Sequence, residues 1–488
     1  MNIPFLNNNH VWSSNIRVLL SVRGFILAVI FASSALITLI PDGYLTTHLA
    51  ISAALVLATV GMLATGIVSE QLAILIFFFF AMIYSVSAPE IVFSGFYSSA
   101  FWLVFGGLVI GAAVDRTGLG GRIAKSIIYC IKGNYSSVIA AVIFLNILLI
   151  FLMPSTLSRV VLLIPIVLAL ANSLGYAEGS PPRNGIVMAT VLTAYLGSTS
   201  VLPANVPNNV LMGAAESFQG VQLHYFNYLV LHFPVLGFLK SLVVWICVVW
   251  LFRPRGEIYD FTKSVQSTAP IMITAFSSEE RRLSLFLIVA LLLWSTDKIH
   301  GTAPAWVSLG IGILCLVPLL GVISAETFKE KVPISPLLYV AGIIGVGAVV
   351  ADTGLGTFIS ERIVNASNLA PDDPLRGFFV LSGTAMLLGF FSTMPGVPAI
   401  LVPIASDLSA ASGLNLNAVL MTQVVGFSTV WLPYQVPPII VGMQLAGVPM
   451  MAGIKITALI GIISLVVLNP LVAVWWQILG YFPDGLLF

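Results

Sequence analysis

Long apolar runs separated by short polar joints dictate what this chain can become. A helix needs roughly 20 apolar residues to cross the hydrocarbon core of a bilayer, and backbone in lipid must satisfy its hydrogen bonds internally. Such runs lie near residues 17–39, 47–66, 71–88, 98–114, 184–215, 226–252, 283–296, 303–323, 336–351, 416–446 and 451–478, which predicts 11 crossings. The runs are continuous rather than alternating, which excludes a β-barrel. Composition agrees, since only 8% of the 488 residues are charged and 59% are hydrophobic. A soluble globule carries roughly 25% charge, and one built from this sequence would expose large apolar patches. Lys and Arg number 20 against 19 Asp and Glu, so no nucleic-acid role is suggested. Cys130, Cys247 and Cys315 stand alone in apolar segments, without metal or redox spacing, and read as packing residues. No small-residue cleavage site follows the first apolar segment, so that helix is expected to be retained.

Two further apolar stretches, 135–173 and 375–413, are each 39 residues long and interrupted halfway. The interruptions are Met153-Pro154-Ser155-Thr156 and Ser392-Thr393-Met394-Pro395-Gly396. Either stretch could be two tight crossings or a re-entrant hairpin. Irregular backbone cannot face lipid, so a polar break favours a hairpin tip enclosed by protein. Orientation follows from charge. Arg17, Arg23, Arg116, Arg122, Lys125, Lys132, Arg253, Arg255, Lys263, Arg281, Arg282, Lys329 and Lys331 fall on one side, whereas Asp42, Glu90, Glu216, Asp372, Asp373 and Asp484 fall on the other. The basic side is predicted to be cytoplasmic, with the N-terminus inside and the C-terminus outside.

The chain repeats itself. Thr117-Gly118-Leu119-Gly120 recurs as Thr353-Gly354-Leu355-Gly356, 353 − 117 = 236 residues later, each just after an Asp (Asp115, Asp352). Leu163-Ile164-Pro165-Ile166 recurs as Leu401-Val402-Pro403-Ile404, and Leu202-Pro203-Ala204-Asn205-Val206-Pro207 as Leu432-Pro433-Tyr434-Gln435-Val436-Pro437. Five predicted crossings separate the first Thr-Gly-Leu-Gly from the second. This is an odd number, so the copies are inverted. Inverted repeats with interrupted helices belong to secondary transporters, whose site lies where the breaks of the two repeats meet. The duplicated prolines interrupt the ladders of spans 184–215 and 416–446. The flanking Gly197, Ser198, Thr199, Ser200, Asn205, Asn208 and Asn209 can satisfy or use the freed groups, and the carbonyls, amides and side chains of an unwound stretch can contact a solute.

These motifs resemble the divalent anion/sodium symporter family of the ion transporter superfamily over roughly residues 95–478. The resemblance implies about 11 transmembrane helices plus two re-entrant hairpins in an all-α polytopic membrane protein, a homodimer and an elevator movement. It also implies Ser-Asn-Thr tips that hold sodium ions and substrate carboxylates. Ser155-Thr156-Leu157 stands at the first tip and Thr393-Met394-Pro395, after Ser392, at the second. Methionine offers only a weak sulfur acceptor. At most one sodium is therefore expected, bound through Ser155, Thr156, Thr393 and carbonyls near Gly197, with a proton or anion exchange as the alternatives. The expected parts are 1–134 and 253–374 for the scaffold, and 135–252 and 375–488 for transport.

Two charges lie deep in apolar sequence, where an ionisable residue is a functional candidate. Arg159, four residues after Ser155, could grip a carboxylate, sulfonate or sulfate with its planar fork. Lys240, with His232 two turns earlier, could stand in for a lost sodium ion or carry a proton. Asp407 is expected to be solvated, and His10, His48, His224 and His300 fall at span ends or in loops. The expected function is secondary transport of a small organic or inorganic anion, bound by Ser155, Thr156, Arg159, Asn205, Asn208, Ser392, Thr393 and Gln435. The alternatives are a sodium/proton antiporter or oxyanion exchanger on the same fold, or an integral-membrane enzyme, for which no buried His/Asp/Glu cluster appears.

Overall fold

A computed structural model of the chain describes residues 22–39, 46–129, 134–254 and 275–482. His10, Arg17, Asp42, Cys130, Lys132, Arg255, Lys263 and Asp484 lie outside the described residues. Helix is the dominant regular structure, and the described residues contain no strand.

Helices α1 (Val22–Ile37), α2 (Thr47–Thr65), α3 (Glu70–Ile83) and α4 (Ser99–Thr117) are followed by a short α5 (Leu119–Tyr129). The first 39-residue stretch forms a pair, α6 (Tyr135–Leu152) and α7 (Thr156–Ser173), and the next span is broken into α8 (Pro181–Leu196) and α9 (Val206–Gln219). One long helix, α10 (Tyr225–Leu251), closes the first repeat. Two linking helices, α11 (Ser278–Ser295) and α12 (Pro304–Leu316), lead to the second copy. It begins with α13 (Ser335–Asp352), α14 (Leu355–Ser367) and a hairpin of α15 (Pro374–Phe391), α16 (Gly396–Leu401) and α17 (Ala405–Ser412). A second broken span follows, α18 (Leu416–Phe427) and α19 (Pro437–Leu445), and then α20 (Met450–Ile478). Side-chain caps set many starts: Asn134 accepts from the Ser137 amide, Asn205 from Asn208 and Asn415 from Ala418. These replace the carbonyl partners that a first turn lacks.

The repeat is visible in local geometry. Thr117 and Thr353 each donate back to the carbonyl four residues earlier, at 2.8 and 2.7 Å. Gly118 and Gly354 then take φ of +74° and +76°, a left-handed turn that glycine adopts without strain. A Cβ on Gly120 would meet Leu162 Cδ2 at 2.7 Å, and one on Gly356 would meet Ile404 Cγ2 at 2.9 Å. Each amphipathic helix therefore lies flush on the second arm of its own hairpin. A fourth correspondence emerges only in the structure. Pro234 and Pro470, 470 − 234 = 236 residues apart, lie in and just after π-helical turns, Phe233–Leu239 and Ser464–Leu468. Proline removes a ladder donor, and the extra residue of a π turn absorbs the defect.

Two hydrophobic cores form. One joins α1–α3 to α13 through Ile74, Phe77, Phe78 and Ile344. The other gathers the hairpins, the broken spans, α10 and α20, and also takes in α11 and α12. Cys247 and Cys315 are buried there.

Candidate functional site

Each hairpin tip meets the break of a broken span, about halfway along it. At the first, Met153 and Ser155 are extended (φ −125° and −133°) and separate two 18-residue helices. Thr156 Oγ1 lies 3.3 Å from Ser198 Oγ and 3.3 Å from the Ala204 carbonyl. The break comprises two 3-10 turns, Gly197–Ser200 and Leu202–Ala204. Asn208 ties it together, donating from Nδ2 to the carbonyls of Ser198 (3.0 Å), Thr199 (3.3 Å) and Val201 (2.9 Å). Gly197 is packed on α6, since a Cβ there would meet Ile150 at 2.7 Å.

Arg159 is fully buried behind this tip. Its guanidinium donates to the Met153 carbonyl, to Thr156 Oγ1 (3.1 Å) and to the carbonyls of Ala194 (3.0 Å) and Ala204 (3.2 Å). Four oxygens, two from the tip, one from the end of α8 and one from the break, thus surround the guanidinium, and among the described residues it has no carboxylate partner. The fork expected to hold a solute is turned toward these protein oxygens instead, since a charge enclosed by protein is costly without hydrogen bonds, and only Nε is left without a partner.

The second half is assembled differently. The Ser392 hydroxyl donates to Leu388 and Thr393 carbonyls at 3.0 and 3.1 Å. The tip's own carbonyls accept the next amides, Thr393 from Gly396 (2.8 Å) and Met394 from Val397 (3.3 Å). Thr393 Oγ1 pairs with the Tyr339 hydroxyl of α13 at 2.7 Å. Gln435 accepts from the Trp431 and Leu432 amides (2.8 and 2.9 Å) and donates to the Gly389 carbonyl (2.9 Å). Helix α19 opens on Pro437-Pro438, which have no N–H to offer. The cation of this half comes from α10: Lys240, fully buried, donates to the Ser428 carbonyl at 2.8 Å and its Oγ at 3.0 Å.

Both tips and both breaks line one cavity of about 610 Å³, a volume suited to a small solute. Of the residues singled out in the sequence, Ser155, Thr156, Asn205, Thr393 and Gln435 line it. Arg159, Gly197, Asn208, Ser392 and Lys240 stand outside its lining. Asn209, one of the polar residues that flank the first break in the sequence, also lines the cavity, whereas the polar liners Glu70, Ser158, Tyr195 and Tyr339 escaped the sequence reading. Glu70 and Tyr339 come from distant helices, with no local signal. The helix starts at Thr156-Leu157 and Val206 present amides that have no place in a helix ladder, at the positive end of the dipole. At the mouth Lys331 Nζ pairs with Asp115 at 2.9 Å, and this bond holds the ammonium above its ordinary pKa. Desolvation raises the Glu70 carboxyl. Among the described residues no group of three His, Cys, Asp or Glu could hold a metal ion.

Residues 20–482 match the model for the sodium:sulfate symporter transmembrane region. The chain belongs to this family. Relatives of this family chain include a membrane protein of Cupriavidus necator, 25% identical over 80% of this chain and 76% of that one. They also include the L-tartrate/succinate antiporter of Escherichia coli K12, 24% identical over 79% and 80%. The Alcanivorax borkumensis YdaH transporter, a solved structure, shares the fold with a TM-score of 0.52, at 14% identity over 89% of this chain and 99% of that one. Family and fold agree with an all-helical membrane protein that acts as a secondary anion transporter.

Proposed function

We propose that this family member moves a short dicarboxylate across a bacterial inner membrane by exchange, with the two hairpins and broken spans rising and falling as an elevator against α1–α4 and α13 in a homodimer. The observation that carries the reading is the shared cavity, with free helix amides at its wall and Arg159 and Lys240 fixed behind it. An anion stabilised by these groups needs no soluble cofactor. The tartrate/succinate antiporter among the relatives supports the substrate class and the exchange mode. By the charge rule the mouth residues Glu70, Asp115 and Lys331 face the cytoplasm, so the cavity is open inward, with the N-terminus inside and the C-terminus outside.

The fixed cations also argue for exchange. A symporter discharges its sodium ions and returns neutral. Here the positive charges are covalently part of the moving segment, and a buried charge crossing the bilayer centre uncompensated is expensive. A bound dianion compensates both, so the carrier returns only when reloaded. Vesicles reconstituted with the full chain and preloaded with succinate should take up labelled succinate without sodium, whereas empty vesicles should not take it up under a sodium gradient. Sodium-driven uptake into empty vesicles with a Hill coefficient near two would overturn the exchange reading.

A further inference from the structure

We infer that Asn209 is a specificity residue of this cavity, a side-chain amide that contacts the transported anion and admits short dicarboxylates both with and without a hydroxyl. This deepens the dicarboxylate reading and rests on it. Nearly every polar side chain that lines the cavity is already bonded to protein. Ser158 donates to Ser155 at 3.0 Å, and the Tyr195 hydroxyl donates to the Phe427 carbonyl at 3.1 Å. Thr156, Asn205, Gln435, the Tyr339–Thr393 pair and the Asp115–Lys331 pair all have protein partners. Among the described residues two liners have no such bond, Glu70 and Asn209. Glu70 is an acid and repels an anion while ionised.

Asn209 is only 3% exposed, and its Oδ1 finds no partner. Buried amides are normally satisfied, and an exception calls for an explanation. Its place in the first turn of α9 sets it beside the free amides that attract the anion. An amide has a donor end and an acceptor end, and no bond to the protein fixes which end faces the cavity. Turned one way it donates to a carboxylate oxygen, and turned the other it accepts from a hydroxyl. Gln435 on the opposite repeat is also an amide, but three bonds to backbone hold it in one orientation. The adaptable reader is therefore on one side only.

The test is the affinity of the purified full chain for succinate and for L-malate, measured by isothermal titration. Asn209→Leu keeps the bulk and removes both ends of the amide, leaving the malate hydroxyl facing a methyl group. The ratio of malate to succinate affinity should fall by about tenfold or more, because a hydroxyl left unpaired in an enclosed site is strongly disfavoured. Asn209→Ser, which keeps a donor and an acceptor, should hold the ratio within roughly threefold of the parent. Asn209→Ala is read in the same way if Asn209→Leu is not monodisperse. A parent protein that binds both acids, with an unmoved ratio in the amide-free variant, overturns this inference alone. A parent protein that binds neither acid overturns the substrate class and this inference with it.

Discussion

The two repeats build matching halves of one cavity and differ in what they offer a solute. Their backbones agree in the turns at Gly118 and Gly354 and in the packing of Gly120 and Gly356, and each has a π turn near its Pro234 or Pro470, around the proline in the first and just before it in the second. Their chemistry does not. The first tip leads into α7 with free amides at Thr156 and Leu157, and α7 runs on through Pro165. The second tip's carbonyls take up the amides of Gly396 and Val397, and its second arm breaks between Leu401 and Ala405. Prolines 398 and 403, five residues apart, remove two donors within one short arm. Both fixed cations belong to the first repeat. The residue 240 + 236 = 476 that corresponds to Lys240 is a tryptophan, buried against Phe378 and His232. Duplication thus preserved the shape of both halves, whereas the fully buried arginine and lysine, Arg159 and Lys240, both stand in one.

The largest expected effect comes from removing the first cation. Arg159→Leu should abolish exchange and lower stability by on the order of 3 kcal/mol or more, since three carbonyls and a hydroxyl lose a charged donor. A thermal melt and counterflow rate read both losses, and a variant with parental transport would mean that the charge asymmetry between the repeats has no functional weight. Next in size is Lys240→Met, expected to slow sodium-free exchange by about tenfold. If Lys240 stands in for a cation, added sodium should restore part of that rate. Potassium at equal ionic strength should not, and equal rescue by both salts would reduce the residue to a structural bond.

Gln435→Leu should destabilise by about 2 kcal/mol, because three hydrogen bonds inside a membrane protein contribute roughly 0.6 kcal/mol each. It should leave the malate-to-succinate ratio unchanged, unlike the substitution at Asn209, and a moved ratio would assign the second repeat a share in recognition. The smallest effect concerns Glu70. Desolvation favours its neutral form and so raises its pKa. Lowering the pH through that value removes a negative charge from the cavity, and anion binding tightens. Glu70→Gln should tighten binding a few-fold above that pH and flatten the profile relative to the parent. An unchanged profile would show that the acid lies too near the mouth to influence the bound solute.

Much of the fold was legible in the sequence because it is written in periodicity and interruption. Apolar run length marked the helices, of which seven are long and apolar enough to cross a membrane among the described residues, and the polar joints at 153–156 and 392–396 marked both tips. The paired Leu-Pro-x-x-Val-Pro motifs located both breaks, which the structure opens at Gly197–Ala204 and Ser428–Gln435. Residue choice within the site was less legible. Ser155, Thr156, Asn205, Thr393 and Gln435 do line the cavity. Arg159 shows why the rest could not be read, since its position on the tip's face was evident but the direction of its guanidinium was not.

The repeated motifs, the interruptions and the placing of charges within apolar runs are legible along the chain itself. Lipid imposes these locally, through helix length, hydrogen-bond satisfaction and the exclusion of charge. Which polar groups bond to one another across the fold is a matter of packing between remote segments. The forked end of Arg159 donates to the carbonyls of Ala194 and Ala204, 35 and 45 residues away, and Lys240 donates to Ser428, 188 residues away. Asn209 is left without such a partner. A hydrogen bond depends on distances of tenths of an ångström between segments remote in sequence. The pattern of residues along the chain sets where those segments can meet, and packing sets which atoms touch.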